Sequence, residues 1–103
     1  MIYVKCFGFF KGMNYGKCEE DFESYKKINN QLNKADVLKY IKGLPIAAVA
    51  PISVEDIFTG TPLEQAGLIE DGEFRFPIDF IHYYENYEIG IPLEYENHIK
   101  SKM

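Results

Sequence analysis

The stretch that most constrains the fold is residues 71–92, DGEFRFPIDFIHYYENYEIGIP, because it sets a turn, a strand and a helix in immediate succession. Asp71-Gly72 is a strong hairpin signal, since glycine takes positive φ at no steric cost. Glu73-Phe74-Arg75-Phe76 alternates polar and aromatic residues, the period-2 pattern of a half-buried strand, and Pro77 ends it. Asp79 caps a helix predicted over residues 80–87, in which Phe80, Ile81 and Tyr84 share one side, while His82, Glu85 and Asn86 face outward with Tyr83. Gly90 stops that helix, and Pro92 opens a last one along which lie Leu93, Tyr95 or Glu96, and Ile99.

Upstream, alternation through Ile2, Val4 and Cys6 predicts a strand over residues 2–10, and apolar residues on both of its faces place it inside the sheet. Residues 11–17, with two glycines and an asparagine, read as a loop. Phe22, Tyr25, Ile28 and Leu32 form one stripe of an amphipathic helix over residues 19–32, its acids early and its lysines late, as the helix dipole favours. Asn33 caps a second helix that buries Val37, Leu38, Tyr40 and Ile41 and stops at Gly43. The apolar run LPIAAVAPI predicts a buried strand over residues 46–50, whose alanines allow close approach, and a further extended piece follows over residues 54–58. Thr61-Pro62-Leu63-Glu64 combines a capping box with proline at the first helical position, so a short helix is predicted there, ended by Gly67. With no repeat or linker, the expectation is one α+β domain over residues 1–103, a short, mostly antiparallel sheet packed by three to four helices.

The longest apolar run, residues 44–52, is far short of the roughly 20 residues of a membrane-spanning helix. The opening MIYVKCFGFF reads as a strand and not as a secretion signal, so a cytoplasmic protein with no membrane partner is expected. In that compartment Cys6 and Cys18 stay reduced. Cys6 is read as a packed strand residue, and Cys18, beside Lys17, as the better candidate for a reactive thiol. The net charge of −5 is unevenly spread: residues 1–43 hold eight lysines against five acids, whereas residues 44–103 hold three basic residues against eleven acids. An acidic half repels phosphates, so nucleic acid is not the expected partner, and it attracts a basic protein surface.

Chemistry-bearing motifs are sparse. His82 and His98 lie too far apart for a local zinc site, and solvated helix-surface histidines are the preferred reading, with no metal and no cofactor. No serine sits in a nucleophile elbow and no glycine-rich phosphate loop is present, so no catalytic residue is assigned. Asp79 and Glu85 form a carboxylate pair of a kind that any acidic helix offers. Tyr83, Tyr84 and Tyr87 span too wide an arc of a helix for all three to face the core. The candidate partner-binding set is therefore Asp79, Tyr83, Glu85, Tyr87 and Glu88, tyrosine giving contact area at low entropic cost and the carboxylates steering toward lysine and arginine.

The run Val37-Leu38-Lys39-Tyr40-Ile41-Lys42-Gly43, then Ala47-Ala48, Asp56-Ile57-Phe58-Thr59-Gly60, Asp71-Gly72-Glu73-Phe74-Arg75-Phe76-Pro77, Tyr83-Tyr84, Tyr87, Ile91-Pro92 and His98-Ile99 resembles a group of small, largely uncharacterised bacterial proteins. The resemblance covers about residues 37–99, departs from the group where Phe74 and Phe76 replace a more usual tryptophan, and implies no activity. In size and charge alone the chain also resembles immunity proteins, which cover basic toxin domains. The functional expectation is a non-enzymatic binding module, of immunity or inhibitor type, for a basic protein. The alternative is a small-ligand or regulatory domain with an aromatic pocket near Phe74, Phe76, Tyr83 and Tyr84. A third class, a small hydrolase, requires a cleft that sets His82 or His98 against a carboxylate.

Overall fold

The computed structural model describes residues 5–10, 20–50, 54–63 and 66–102. The loop predicted over residues 11–17, Cys18, the first residues of the predicted opening strand and Glu64-Gln65 lie outside them. In chain order the elements are β1 (Lys5–Cys6), α1 (Phe22–Lys26), α2 (Lys34–Lys42), β2 (Ile46–Ala50), β3 (Ala66–Asp71), β4 (Phe74–Pro77), α3 (Asp79–Asn86) and α4 (Leu93–Lys102). The sheet runs β1-β4-β3-β2, with β2–β3 and β3–β4 antiparallel and β1–β4 parallel, so the fold is α+β with a mostly antiparallel sheet.

The β3–β4 hairpin forms as its sequence requires. Asp71 pairs with Phe74 across the turn, and Gly72 takes φ of 63°, the left-handed region that glycine enters freely. Arg75 stands opposite Glu70 and closes on its carboxylate, a cross-strand ion pair on the exposed face. On the other face Phe74 and Phe76 enter a core built mainly of rings: Phe7 lies 4.9 Å from Phe76 and 4.8 Å from Tyr95 between centroids, and Phe10 lies 5.0 Å from Tyr25. Tilted and edge-to-face pairs of this kind add about 0.5–1.5 kcal/mol each beyond area burial.

The caps match the sequence at α2, where Asn33 Oδ1 accepts from the Ala35 amide at 2.8 Å. The helix expected over residues 19–32 is shorter, ending at Lys26. Ile28 and Leu32 still pack on the core, from an irregular segment. That segment is stabilised against helix by outside partners: Glu96 accepts from the Gln31 and Leu32 amides at 2.7 and 2.9 Å, and the Asn30 side chain bonds both the amide and the carbonyl of Ile91. Asparagine competes for backbone groups in this way, which is why it weakens helices.

Three expectations are overturned. The helix predicted from Thr61 is not formed among the described residues: Pro62 bridges Glu55, and Gly67, expected to end that helix, is a strand residue of β3. Gly67 has no room for a side chain, since a Cβ there would lie 2.3 Å from the Ala48 carbonyl oxygen and 2.8 Å from Ile78 Cδ1. The opening strand is not interior, because β1 occupies one edge of the described sheet. Nor is β2 buried. It forms the other edge of the described sheet, with Ile46 and Val49 exposed at 46% and 60%.

No helix among the described residues is long and apolar enough to cross a membrane.

Candidate functional site

Two buried carboxylates organise the polar interior, and each holds a histidine. The first, Asp56, is 3% exposed and lies in the segment between β2 and β3. Its Oδ1 accepts from the amides of Phe58 at 2.7 Å and Thr59 at 3.1 Å, an Asx turn that replaces the extended piece expected over residues 54–58. The segment closes on itself through Asp56 N to Thr61 O, Gly60 N to Asp56 O and Leu63 N to Val54 O, at 2.9, 2.8 and 2.9 Å. Its Oδ2 reaches across to α3, where it meets His82 Nε2 at 2.7 Å and accepts from the Tyr87 hydroxyl at 2.8 Å. The Tyr83 hydroxyl adds a third fastening by accepting from the Ile57 amide at 2.9 Å.

Burial alone would push the Asp56 carboxyl up, but the hydrogen bonds from His82, Phe58, Tyr87 and Thr59 outweigh it and hold the group below the usual carboxylate range. The same contact raises the Tyr87 hydroxyl, because the bond to Asp56 is made by the protonated phenol. Burial pushes Tyr83 up to about 12.

The second hub is Asp71, at the end of β3. Its Oδ2 accepts from Tyr40 of α2 at 2.7 Å and from Tyr95 of α4 at 3.0 Å, so one oxygen ties the hairpin to two helices. His98 Nε2 approaches Oδ1 to 3.1 Å, off the line of a hydrogen bond, and that buried nitrogen has no other partner among the described residues. Desolvation works against the charge of Asp71, yet Tyr40, His98 and Tyr95 together hold its carboxyl below the usual range. Burial, followed by the neighbouring Asp71 charge and hydrogen bond, raises Tyr95 far above an ordinary phenol.

The expectation of solvated helix-surface histidines is therefore overturned for both residues. A carboxylate that orients an imidazole is one component of a catalytic dyad, but the imidazole then needs its second nitrogen free for a nucleophile or water. In His82 that nitrogen, Nδ1, lies 3.3 Å from Asn86 Nδ2, so both ring nitrogens are engaged within the protein. In this geometry Asp56 and His82 fasten the 54–63 segment to α3.

That fastening shapes a cleft of about 450 Å³ between the segment and α3. Its apolar lining is Leu63, Ile78 and Ile81, its charged lining is Asp79 and Glu85, and His82 stands among them. Among the described residues no lysine or arginine lines it. Among the described residues, no three metal-ligating side chains come together.

The residues proposed from sequence as a partner-binding face are divided by the fold. Glu85 and Glu88 are exposed and Tyr87 is half-buried. Asp79 and Tyr83 are buried, at 3% and 0% exposure; Tyr83 is covered by the 54–63 segment, through Ile57 and Phe58, and by Phe10 and Phe22. Lys42 of α2 pairs with Glu85. Of the residues named for the alternative aromatic pocket, Phe76, Tyr83 and Tyr84 are buried in the ring core, with Phe80 between Phe76 and Tyr84 at 6.0 and 5.9 Å, while Phe74 lines a cleft of about 420 Å³ together with Lys5, Cys6, Phe7 and Leu93. Cys6, expected to be packed away, is half-buried.

Two features escaped sequence reasoning: the Asp56 and Asp71 hubs and the open β2 edge. The signal for the first was Asp56-Ile57-Phe58-Thr59-Gly60, an Asx-turn pattern, and for the second it was the pair of prolines that bound the strand. Comparison with family models, curated proteins and solved structures gives no match.

Proposed function

We propose that this chain is a non-enzymatic protein-binding module, of immunity or inhibitor type, that covers a basic protein partner. The observation that carries the reading is the β2 edge. Among the described residues the strand is paired on one side only, and it exposes apolar side chains on its surface, Ile46 and Val49 above all. Such an edge offers unpaired N–H and C=O groups to an added strand, with side chains beside them for specificity. Monomeric sheets usually protect an edge with charge, whereas residues 44–52 carry none. Pro45 and Pro51 bound the strand and limit added pairing to its five residues.

Charge supplies the sign of the partner. The C-terminal residues 44–103 hold eleven acids against three bases, and the cleft with acidic lining adjoins the same end of the sheet. The connection is direct: Gly67 pairs with Val49 of β2, and the bare Gly67 backbone lets Ile78, a cleft residue, sit against it. Of the acids and tyrosines proposed from sequence, Glu85 stands at this cleft, with Tyr87 and Glu88 at the end of the same helix. The test is capture by the tagged chain in its native cells, repeated with Val49→Lys and Glu85→Lys. The reading expects a captured protein with a basic surface and loss of capture in both variants. Capture of an acidic partner, or capture indifferent to both substitutions, contradicts it.

A further inference from the structure

We propose that the β2 edge is capped, when no partner is bound, by the β2 edge of a second copy of this chain, paired antiparallel about Ala48; the inference rests on the protein-binding reading above. Ile46, Ala47, Ala48 and Val49 are all exposed, so among the described residues the strand is bare on both faces as well as along its outer side. The Ala48 carbonyl oxygen would lie 2.3 Å from a Cβ on Gly67 of β3, so it points into the sheet. Backbone groups alternate in direction along a strand, and those of Val49 therefore point away from β3. A bare apolar edge of this kind accepts another strand unless something guards it.

The strand's own sequence selects a second copy, because a two-fold contact needs a patch complementary to itself. Pairing about Ala48 sets Val49 of each copy against Ala47 of the other, a larger side chain against a small one. Pro45 and Pro51 stand equally far from Ala48 in sequence, so the same two-fold suits both ends of the run. Each copy carries a net charge of −5, which opposes approach, yet no charged residue occurs between Lys42 and Glu55. Two copies can thus meet at this run without setting like charges together.

The contact is small. Five residues a side fall far below the roughly 20–30 of a standard stable interface, and the bulge between Ile46 and Ala48 limits the pairing further. Self-pairing is therefore weak and reversible. A basic partner gains an attraction to the acidic residues of the C-terminal half that a second acidic copy lacks, so it displaces the copy.

Sedimentation velocity of the full chain tests this. Mass should rise reversibly from one chain at about 1 µM toward two at about 1 mM, and Val49→Lys, which charges the edge, should stay at one throughout. Ala48→Cys places a thiol on the axis, where opposed residues outside a hydrogen-bonded pair lie about 4.5 Å apart, within reach of a disulfide. Mild oxidation should join Ala48→Cys chains through position 48 at least about tenfold faster than Val49→Cys chains through position 49, whose thiol-bearing residues stand more than about 7 Å apart. Peptide masses identify the bond. The oxidised Ala48→Cys dimer should capture none of the basic partner that the reduced chain captures, and equal capture by the two overturns the inference. A chain still monomeric at about 1 mM, or cross-linking as fast at position 49 as at 48, also overturns it. If the chain is monomeric but Val49→Lys still releases the partner, self-pairing falls and the protein-binding reading stands. If the chain pairs through position 48 but Val49→Lys leaves partner binding intact, the reading itself falls.

Discussion

His82 Nε2 and Asp56 Oδ2 meet at 2.7 Å across 26 residues of sequence, and this contact joins the segment between β2 and β3 to helix α3. Asp56 is buried, and its two oxygens also serve two amides and a tyrosine hydroxyl. Asp56→Asn keeps the shape but turns one acceptor into a donor facing other donors. We expect a loss of about 3 kcal/mol, the scale of breaking a buried charge-assisted network, and a fall in melting temperature of more than about 10 °C for a domain of this size. Amide exchange should rise first at Ile57, Phe58 and Thr59. Unchanged exchange there would contradict the role given to Asp56.

The two hubs also set the response to acid. Both carboxyls are held below their unfolded value, so the unfolded chain binds more protons in acid. Their contribution is fully present above the unfolded carboxylate value of about 4 and is lost as pH falls through the lower folded values. Melting temperature should therefore be flat from neutrality down to about pH 4 on account of these groups and fall below it. The double variant Asp56→Asn, Asp71→Asn should start lower and show a shallower acid slope. An equal slope in the variant would mean that other carboxylates carry the effect.

Tyr40 and Tyr95 donate to the same oxygen of Asp71, at 2.7 and 3.0 Å. Removing one hydroxyl leaves the other in place, whereas removing both strips that oxygen of its donors from α2 and α4. Each single Tyr→Phe change is expected to cost about 1 kcal/mol, and the double change more than the sum, with a coupling of at least about 0.5 kcal/mol. Chemical denaturation of the four chains in the cycle measures it, and strict additivity would contradict a shared hub.

Gly67→Ala tests the close approach of β2, β3 and Ile78. The added Cβ would lie 2.3 Å from a backbone oxygen, which cannot move aside as a flexible side chain does. A loss of about 1–3 kcal/mol is expected. A Gly67→Ala chain as stable as the wild type would contradict that close approach.

Much of the fold was legible where local rules act alone. Asn33 caps α2, Asp71-Gly72 turns the hairpin, and Phe74 and Phe76 alternate inward as their spacing required. The failures occur where distant groups decide. Thr61-Pro62-Leu63-Glu64 satisfies a helix start locally, but Pro62 is held in a bridge to Glu55 and Gly67 lies against Ala48 in β3. Tyr83 looked exposed because α3 was judged by its own periodicity, without the segment that Asp56 draws over it. In β2 the apolar composition suggested burial, whereas strand order leaves it at an edge, a property that composition does not encode. The Asx turn at Asp56 is local, but the tyrosine and histidine partners of the hubs could not be read from spacing, since Tyr87, His82, Tyr40 and Tyr95 lie 24 to 31 residues from the carboxylates they meet.

The proposed binding of a basic protein at the β2 edge is tested most directly by Val49→Lys. Val49 is 60% exposed, so lysine should leave melting temperature nearly unchanged while placing a positive charge on the edge. Calorimetric titration of the captured partner into wild-type and variant chains should show affinity at least about tenfold weaker for Val49→Lys, equivalent to about 1.4 kcal/mol. Equal affinity in the two folded chains would contradict the account.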